Sequence, residues 1–130
     1  MLYLDSSAIV KLVRSEAETS ALVEEIQADP EVVSSALAWT EVVRAARRAR
    51  VRAARATAVL DGIGFVPIDD GILRDAAELS PASLRTLDAI HLATARSLGD
   101  DIDAMITYDG RMVEAASSLA LPIRSPGIRP

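Results

Sequence analysis

Cysteine is absent from the 130 residues, which excludes a disulfide framework and any thiolate metal site. Lysine occurs once, at Lys11, and histidine once, at His91. The aromatic side chains are Tyr3, Trp39, Phe65 and Tyr108, too few for a base-stacking platform on a sheet face. No apolar run approaches the ~20 residues needed to cross a bilayer. The first residues carry no basic segment ahead of a hydrophobic one, so a secretory leader is not expected. Together these absences favour a cytoplasmic protein. A net charge of -5 argues against a generally basic nucleic-acid-binding surface.

Half of the residues are hydrophobic, enough for a real core, and the length suits one domain spanning 1–130. The charges are segregated. Arg44, Arg47, Arg48, Arg50, Arg52 and Arg55 crowd one stretch, and Asp100, Asp101 and Asp103 another. Most simply, the arginines cover a solvated helical hairpin; functionally, they could meet RNA backbone or an acidic partner.

The chain is organised around its first ten residues. Leu2, Tyr3 and Leu4 are apolar without alternation, as in a strand buried on both faces. The run ends at Asp5, and Ser6 or Ser7 can cap a helix continued by Ala8, Ile9, Leu12 and Val13. Asp5 thus stands at the carboxyl end of a strand, the edge where open α/β sheets bind ligands. The competing reading makes Asp5 itself the cap.

Further along, a helix is expected over Glu16–Gln27, a strand at Val32–Val33, and a helical hairpin over Ala38–Ile63. A third strand covers Gly64–Ile68, where Pro67 suggests an edge. Asp69 or Asp70 caps the helix that follows. Ser80-Pro81 breaks it, and Thr86 can cap a helix over Leu87–Leu98 stopped by Gly99. A fourth strand runs through Ala104–Thr107, a helix passes through Met112, Val113 and Ala116, and Leu121–Ile123 is a possible last strand. Strands alternating with helices predict an α/β, three-layer fold, a parallel sheet of four to five strands with helices on both faces.

That topology gives four acids a common address. Asp5 and Asp109 end strands, Glu41 is expected in the first turn of the helix after the second strand, and Asp88 lies near the start of the helix entering the fourth. Carboxylates converging on one cleft repel unless a cation or protons intervene. Oxygen-only ligands suit Mg²⁺ or Mn²⁺, whose chemistry is phosphodiester hydrolysis. Singly, each acid also has a structural reading: Glu41 and Asp88 favour a helix dipole, and Asp109 a turn before Gly110.

Tyr3-Leu4-Asp5-Ser6-Ser7-Ala8 resembles the opening motif of PIN-domain ribonucleases. Glu41 within Trp39-Thr40-Glu41-Val42 resembles their second acid. Leu84 to Ala95, with Asp88 at its centre, is similar to the signature of the VapC-type toxins, and Thr107-Tyr108-Asp109 matches the fourth acid. The resemblance spans the chain in order, and its Asp88 segment is the most specific part.

It implies the PIN fold with the first strand in the middle of the sheet. It also implies a Mg²⁺- or Mn²⁺-dependent endoribonuclease, the toxin of a type II toxin–antitoxin pair, leaving 5′-phosphate and 3′-hydroxyl ends. Asp5, Glu41, Asp88 and Asp109 map onto the catalytic, metal-holding quartet, Asp109 being the least essential, and Ser6 and Thr107 onto hydroxyls lining the site. The expected partners are RNA, a VapB-type antitoxin and a second copy of the chain, with no membrane. The antitoxin's tail is expected along the hairpin, on Trp39, Val42 and Val43, with an Arg or Lys among the four acids and its acidic residues against Arg44–Arg55.

Other readings fit less well. A response-regulator receiver needs a lysine late in the chain, and a haloacid-dehalogenase phosphatase needs an acid where Ser7 stands. Asp101 and Asp103 resemble a Toprim pair but precede the fourth strand, at the wrong edge. The alternative from another class is a catalytically inert PIN-like RNA- or protein-binding module. His91 shares a helix face with Asp88, yet among Ile90, Leu92 and Ala93 it reads as a packed, hydrogen-bonded core residue. Arg85 is open between contacting a phosphate and pairing with an acid of the site.

Overall fold

Leu2, Tyr3 and Leu4 do form a strand, β1 (Leu2–Leu4), and all three are fully buried. Their side chains alternate between two cores. Leu2 and Leu4 pack with Ala8, Ile9, Leu22, Val42 and Leu60, whereas Tyr3 packs on the opposite face with Leu92, Ala95, Met105 and Met112. The coordinates are a computed structural model and describe residues 1–129.

The elements in order are β1, α1 (Ser6–Val13), α2 (Thr19–Ala28), β2 (Val32–Ser35), α3 (Leu37–Arg48), α4 (Ala53–Leu60), β3 (Gly64–Val66), α5 (Asp70–Glu78), α6 (Thr86–Leu98), a 3₁₀ turn at Gly99–Asp101, β4 (Ala104–Ile106), α7 (Gly110–Ser117) and β5 (Ile123–Arg124). The sheet has five strands, all parallel, in the order β3-β2-β1-β4-β5. β1 is central and β3 is an edge strand as expected, but it ends at Val66, so Pro67 and Ile68 follow the strand instead of lying within it. The core contacts place α1 to α4 on the face of Leu2 and Leu4, and α6 and α7 on the face of Tyr3. α5 packs along the outside of α6 through Ile72, Ala76, Ile90 and Ala93. Among the described residues no helix is long and apolar enough to cross a membrane.

Several local expectations need correction. The cap of α1 is Asp5, whose side chain accepts the Ala8 N–H; Ser6 and Ser7 are already helical. α6 starts at Thr86 itself, with Arg85 in extended conformation ahead of it and no side-chain cap. Asp69 caps α5 by accepting the Ile72 N–H. α2 begins at Thr19, because Glu16 is taken up in a turn where its N–H donates to Thr19 Oγ1. Glu41 lies beyond the first turn of α3, which starts at Leu37. Val42 is fully buried in the core, so it cannot line an open groove with Trp39 and Val43. Asp103 lies where expected: its carboxylate accepts from the Met1 ammonium just ahead of β1, at the edge away from Asp5.

Candidate active site

β1 and β4 run in register, Leu4 beside Ile106, so the next residues, Asp5 and Thr107, meet where the two strands end. Thr107 Oγ1 donates to Asp5 Oδ2. Ser7 Oγ donates to Asp5 Oδ1 at 2.6 Å, and the Ala8 N–H reaches the same oxygen at 3.0 Å. The hydroxyls are themselves held: the Tyr108 N–H donates to Ser7 Oγ and the Asp109 N–H to Thr107 Oγ1. Asp5 is only 3% exposed. Burial pushes its carboxyl above the ordinary range, against the pull of Ser7, Thr107 and His91.

Asp109 caps α7, its Oδ1 accepting the Arg111 N–H at 2.9 Å. Asp88, half-buried in the first turn of α6, borders a cavity of ≈ 650 Å³ with Arg85, Arg111 and Glu114. Its carboxyl is raised by desolvation first, then by the negative charges of Asp109 and Asp5; His91 and Arg85 oppose the rise. Asp88 therefore feels the charges of both Asp109 and Asp5, as a shared cleft requires.

Glu41 is bonded through Ser6 and His91, and His91 also acts on Asp5 and Asp88. Glu41 Oε1 accepts Ser6 Oγ at 2.6 Å and lies 2.8 Å from His91 Nε2. His91 is buried, as expected of a core residue, but its other nitrogen, Nδ1, meets the Tyr3 hydroxyl at 2.7 Å, between α6 and the central strand. Glu41 borders a second cavity with Ser6, Ser7, Lys11, Arg48 and Tyr108. Lys11 stands 4.7 Å over the Tyr108 ring and pairs with Glu16 and Glu18.

Among the described residues no group of three or more His, Asp or Glu side chains is gathered closely enough to hold an ion. The donor set still suits a hard cation. Every candidate ligand atom is a carboxylate or hydroxyl oxygen, Asp88 is electrostatically loaded by its acidic neighbours, and Mg²⁺ keeps several waters while using one or two carboxylates. Ser7 and His91 were not assigned to the site from the sequence. Ser7 had a signal, a hydroxyl two residues past the strand-end acid; His91 had none, since its partners lie 88 and 50 residues away.

A family model described as the PIN domain matches residues 2–117. The chain is 46% identical over 129 residues to Ribonuclease VapC46 of Mycobacterium tuberculosis (strain ATCC 25618 / H37Rv), covering 96% of this chain and 97% of that one. Mycobacterium tuberculosis VapC20, a sarcin-ricin-loop-cleaving toxin, superposes with a TM-score of 0.70 at 17% identity, covering all of both chains. A toxin–antitoxin complex from Klebsiella pneumoniae gives a TM-score of 0.65 at 20% identity over 84% of this chain and 87% of that one.

Proposed function

The chain belongs to the PIN-domain family and, within it, to the VapC ribonucleases, and on that premise we propose that it hydrolyses RNA internally as a toxin, with Mg²⁺ or Mn²⁺ held by Asp5, Asp88, Glu41 and Asp109. The observation that supports this reading is that Asp5, at the end of β1, and Asp109, after β4, both lie close enough to Asp88 for their charges to raise its carboxyl. When bound, the cation supplies Lewis acidity toward water and a phosphate oxygen. Asp5 presents a carboxylate fixed by three donors. Asp88, held by no such donors among the described residues and with its carboxyl raised by desolvation, is suited to take the proton of the water that attacks phosphorus in line. The bond to the 3′ oxygen breaks as the water adds, and that oxygen leaves with a proton from solvent. Ser6 and Thr107 position Glu41 and Asp5 respectively.

The RNA strand passes along α3. Arg44, Arg47 and Arg48 border one shallow cavity, and Arg48 also borders the cavity of Glu41. Seven residues of helix carry Arg48 ~10 Å from Glu41 on one face, within reach of neighbouring phosphates. Control falls to a VapB-type antitoxin in the same cytoplasm. Its tail would pack beside Trp39, which is 39% exposed and stands edge-on to Phe65 at 6.0 Å, and would place a guanidinium among the acids. This surface uses Trp39 and Val43 without Val42.

The test is cleavage by Asp5→Asn, Glu41→Gln and Asp88→Asn, which keep shape and remove charge. Each is expected to abolish RNA cleavage and growth inhibition while the circular dichroism spectrum stays that of the parent. Near-full cation-dependent activity in Asp5→Asn would sink the assignment.

A further inference from the structure

His91 is 1% exposed, between Ile90 and Leu92 on α6, yet neither ring nitrogen is left without a partner. Buried imidazoles need such partners, but here the two partners differ in kind. One is Tyr3, in the middle of the central strand and fully buried. The other is Glu41, which opens onto a cavity.

The directions of the bonds follow from the inventory of donors. A carboxylate oxygen only accepts, so Nε2, 2.8 Å from Glu41 Oε1, carries a ring proton, and in the neutral imidazole Nδ1 then accepts from Tyr3 Oη at 2.7 Å. Nε2 also faces Ser6 Oγ at 3.2 Å. Ser6 Oγ gives its own proton to the same Oε1. Two donors therefore converge on one carboxylate oxygen, while Oε2 has no hydrogen-bond partner among the described residues. The Tyr3 and His91 rings, edge to face at 80° with centroids 5.9 Å apart, restrain the imidazole further.

Resting on the nuclease reading above, we propose that His91, held at Nδ1 by Tyr3, is a positioning residue that pins Glu41 by Oε1 and leaves Oε2 to the cation. The linkage runs from the sheet core through α6 to α3. It orients an acid on a flexible three-torsion side chain that would otherwise sample several rotamers. An outer hydrogen-bonded partner of this kind shifts metal affinity by ~10–100-fold when removed.

The experiment uses the full chain and compares the parent with Tyr3→Phe, His91→Leu and His91→Gln. Mn²⁺ binding is read by isothermal titration calorimetry, and the His91 tautomer by nitrogen-15 NMR of the metal-free protein. The parent should show the proton on Nε2. His91→Leu should weaken Mn²⁺ binding by ~10–100-fold, with the KM for RNA at saturating Mn²⁺ unchanged. His91→Gln, whose amide N–H can reach Glu41, should recover most of that loss. Tyr3→Phe deletes a single oxygen and stands in if His91→Leu does not fold; it should weaken Mn²⁺ binding by ~10-fold. A proton on Nδ1 in the parent, or Mn²⁺ affinity within twofold of the parent in folded Tyr3→Phe, overturns the proposal while leaving the nuclease standing. A parent that neither binds Mn²⁺ nor cleaves RNA overturns both.

Discussion

Asp5 ends β1, caps α1 and accepts from Ser7 and Thr107 with one buried carboxylate, so its charge is held where solvent can do little to stabilise it. Asp88 meets the same difficulty for another reason, the nearby charges of Asp109 and Asp5, only partly offset by His91 and Arg85. Both carboxyls are raised in the folded state relative to the unfolded chain. The folded protein therefore binds more protons just above the ordinary carboxylate range, and stability falls as pH rises through the raised values. Below that range the sign reverses, because Asp103 and Glu18 are lowered by the Met1 ammonium, Asp29 and Lys11. Chelator-treated protein should thus melt higher near pH 5 than at pH 7, a difference that saturating Mn²⁺ removes. A melting temperature that rises from pH 5 to pH 7 in chelator would contradict it. At this scale the sequence was partly legible. Strand-end acids declare themselves by what precedes and follows them, whereas the bonds of Ser7 and His91 depend on which strand and helix lie alongside.

Helix boundaries follow from caps, and the caps explain both what was legible and what was not. Gly99, at φ 55°, ends α6 as its position after a periodic run suggests. Ser6, Ser7 and Thr86 are residues that favour caps, yet Asp5 outcompetes the two serines because its carboxylate reaches the Ala8 N–H while also closing the strand. Arg85 takes the cap position of α6 without any side-chain bond, a position that composition alone gives no reason to choose. The hairpin of α3 and α4 was legible from periodicity, but the direction of Val42 was not: the buried stripe runs at four-residue spacing through Ala38, Val42 and Ala46, which leaves Trp39 at its exposed edge. Asp69, bonded to the Ile72 N–H at 2.8 Å, is a cap that stands outside the proposed site. Asp69→Ala should destabilise the protein by ~1 kcal/mol, lowering the melting temperature by ~3–5 °C for a chain of this size. A shift under 1 °C by calorimetry would mean that the α5 terminus frays at no cost.

The whole molecule brings Asp5, Asp88 and Asp109 together where its strands end and the following helices begin, and the order β3-β2-β1-β4-β5 makes that point central. The alternation of strands and helices, and the carboxylate-ended first strand, made this arrangement legible; the bonding of Glu41 to His91 and Ser6 was not, because it depends on how α3 and α6 lie beside α1. A cation that binds only the folded state stabilises all of it by mass action, ~2.7 kcal/mol at a concentration a hundred times its dissociation constant. Mn²⁺ or Mg²⁺ should raise the melting temperature of the parent, and the rise should shrink in Asp5→Asn. Equal rises in both proteins would place the ion elsewhere.

The central position of β1 also sets a timetable for synthesis. β1 leaves the ribosome first, finds β2 about thirty residues later, and must wait for Ala104 to Ile106 before its other edge is paired. At ~5–20 residues per second, that interval is ~5–20 seconds during which an apolar strand keeps one bare edge. Asp109 is added later still. Until β4 and the start of α7 are added, Asp5 lacks Thr107 as a donor and Asp109 is absent, so the assembled site exists only in the nearly finished chain.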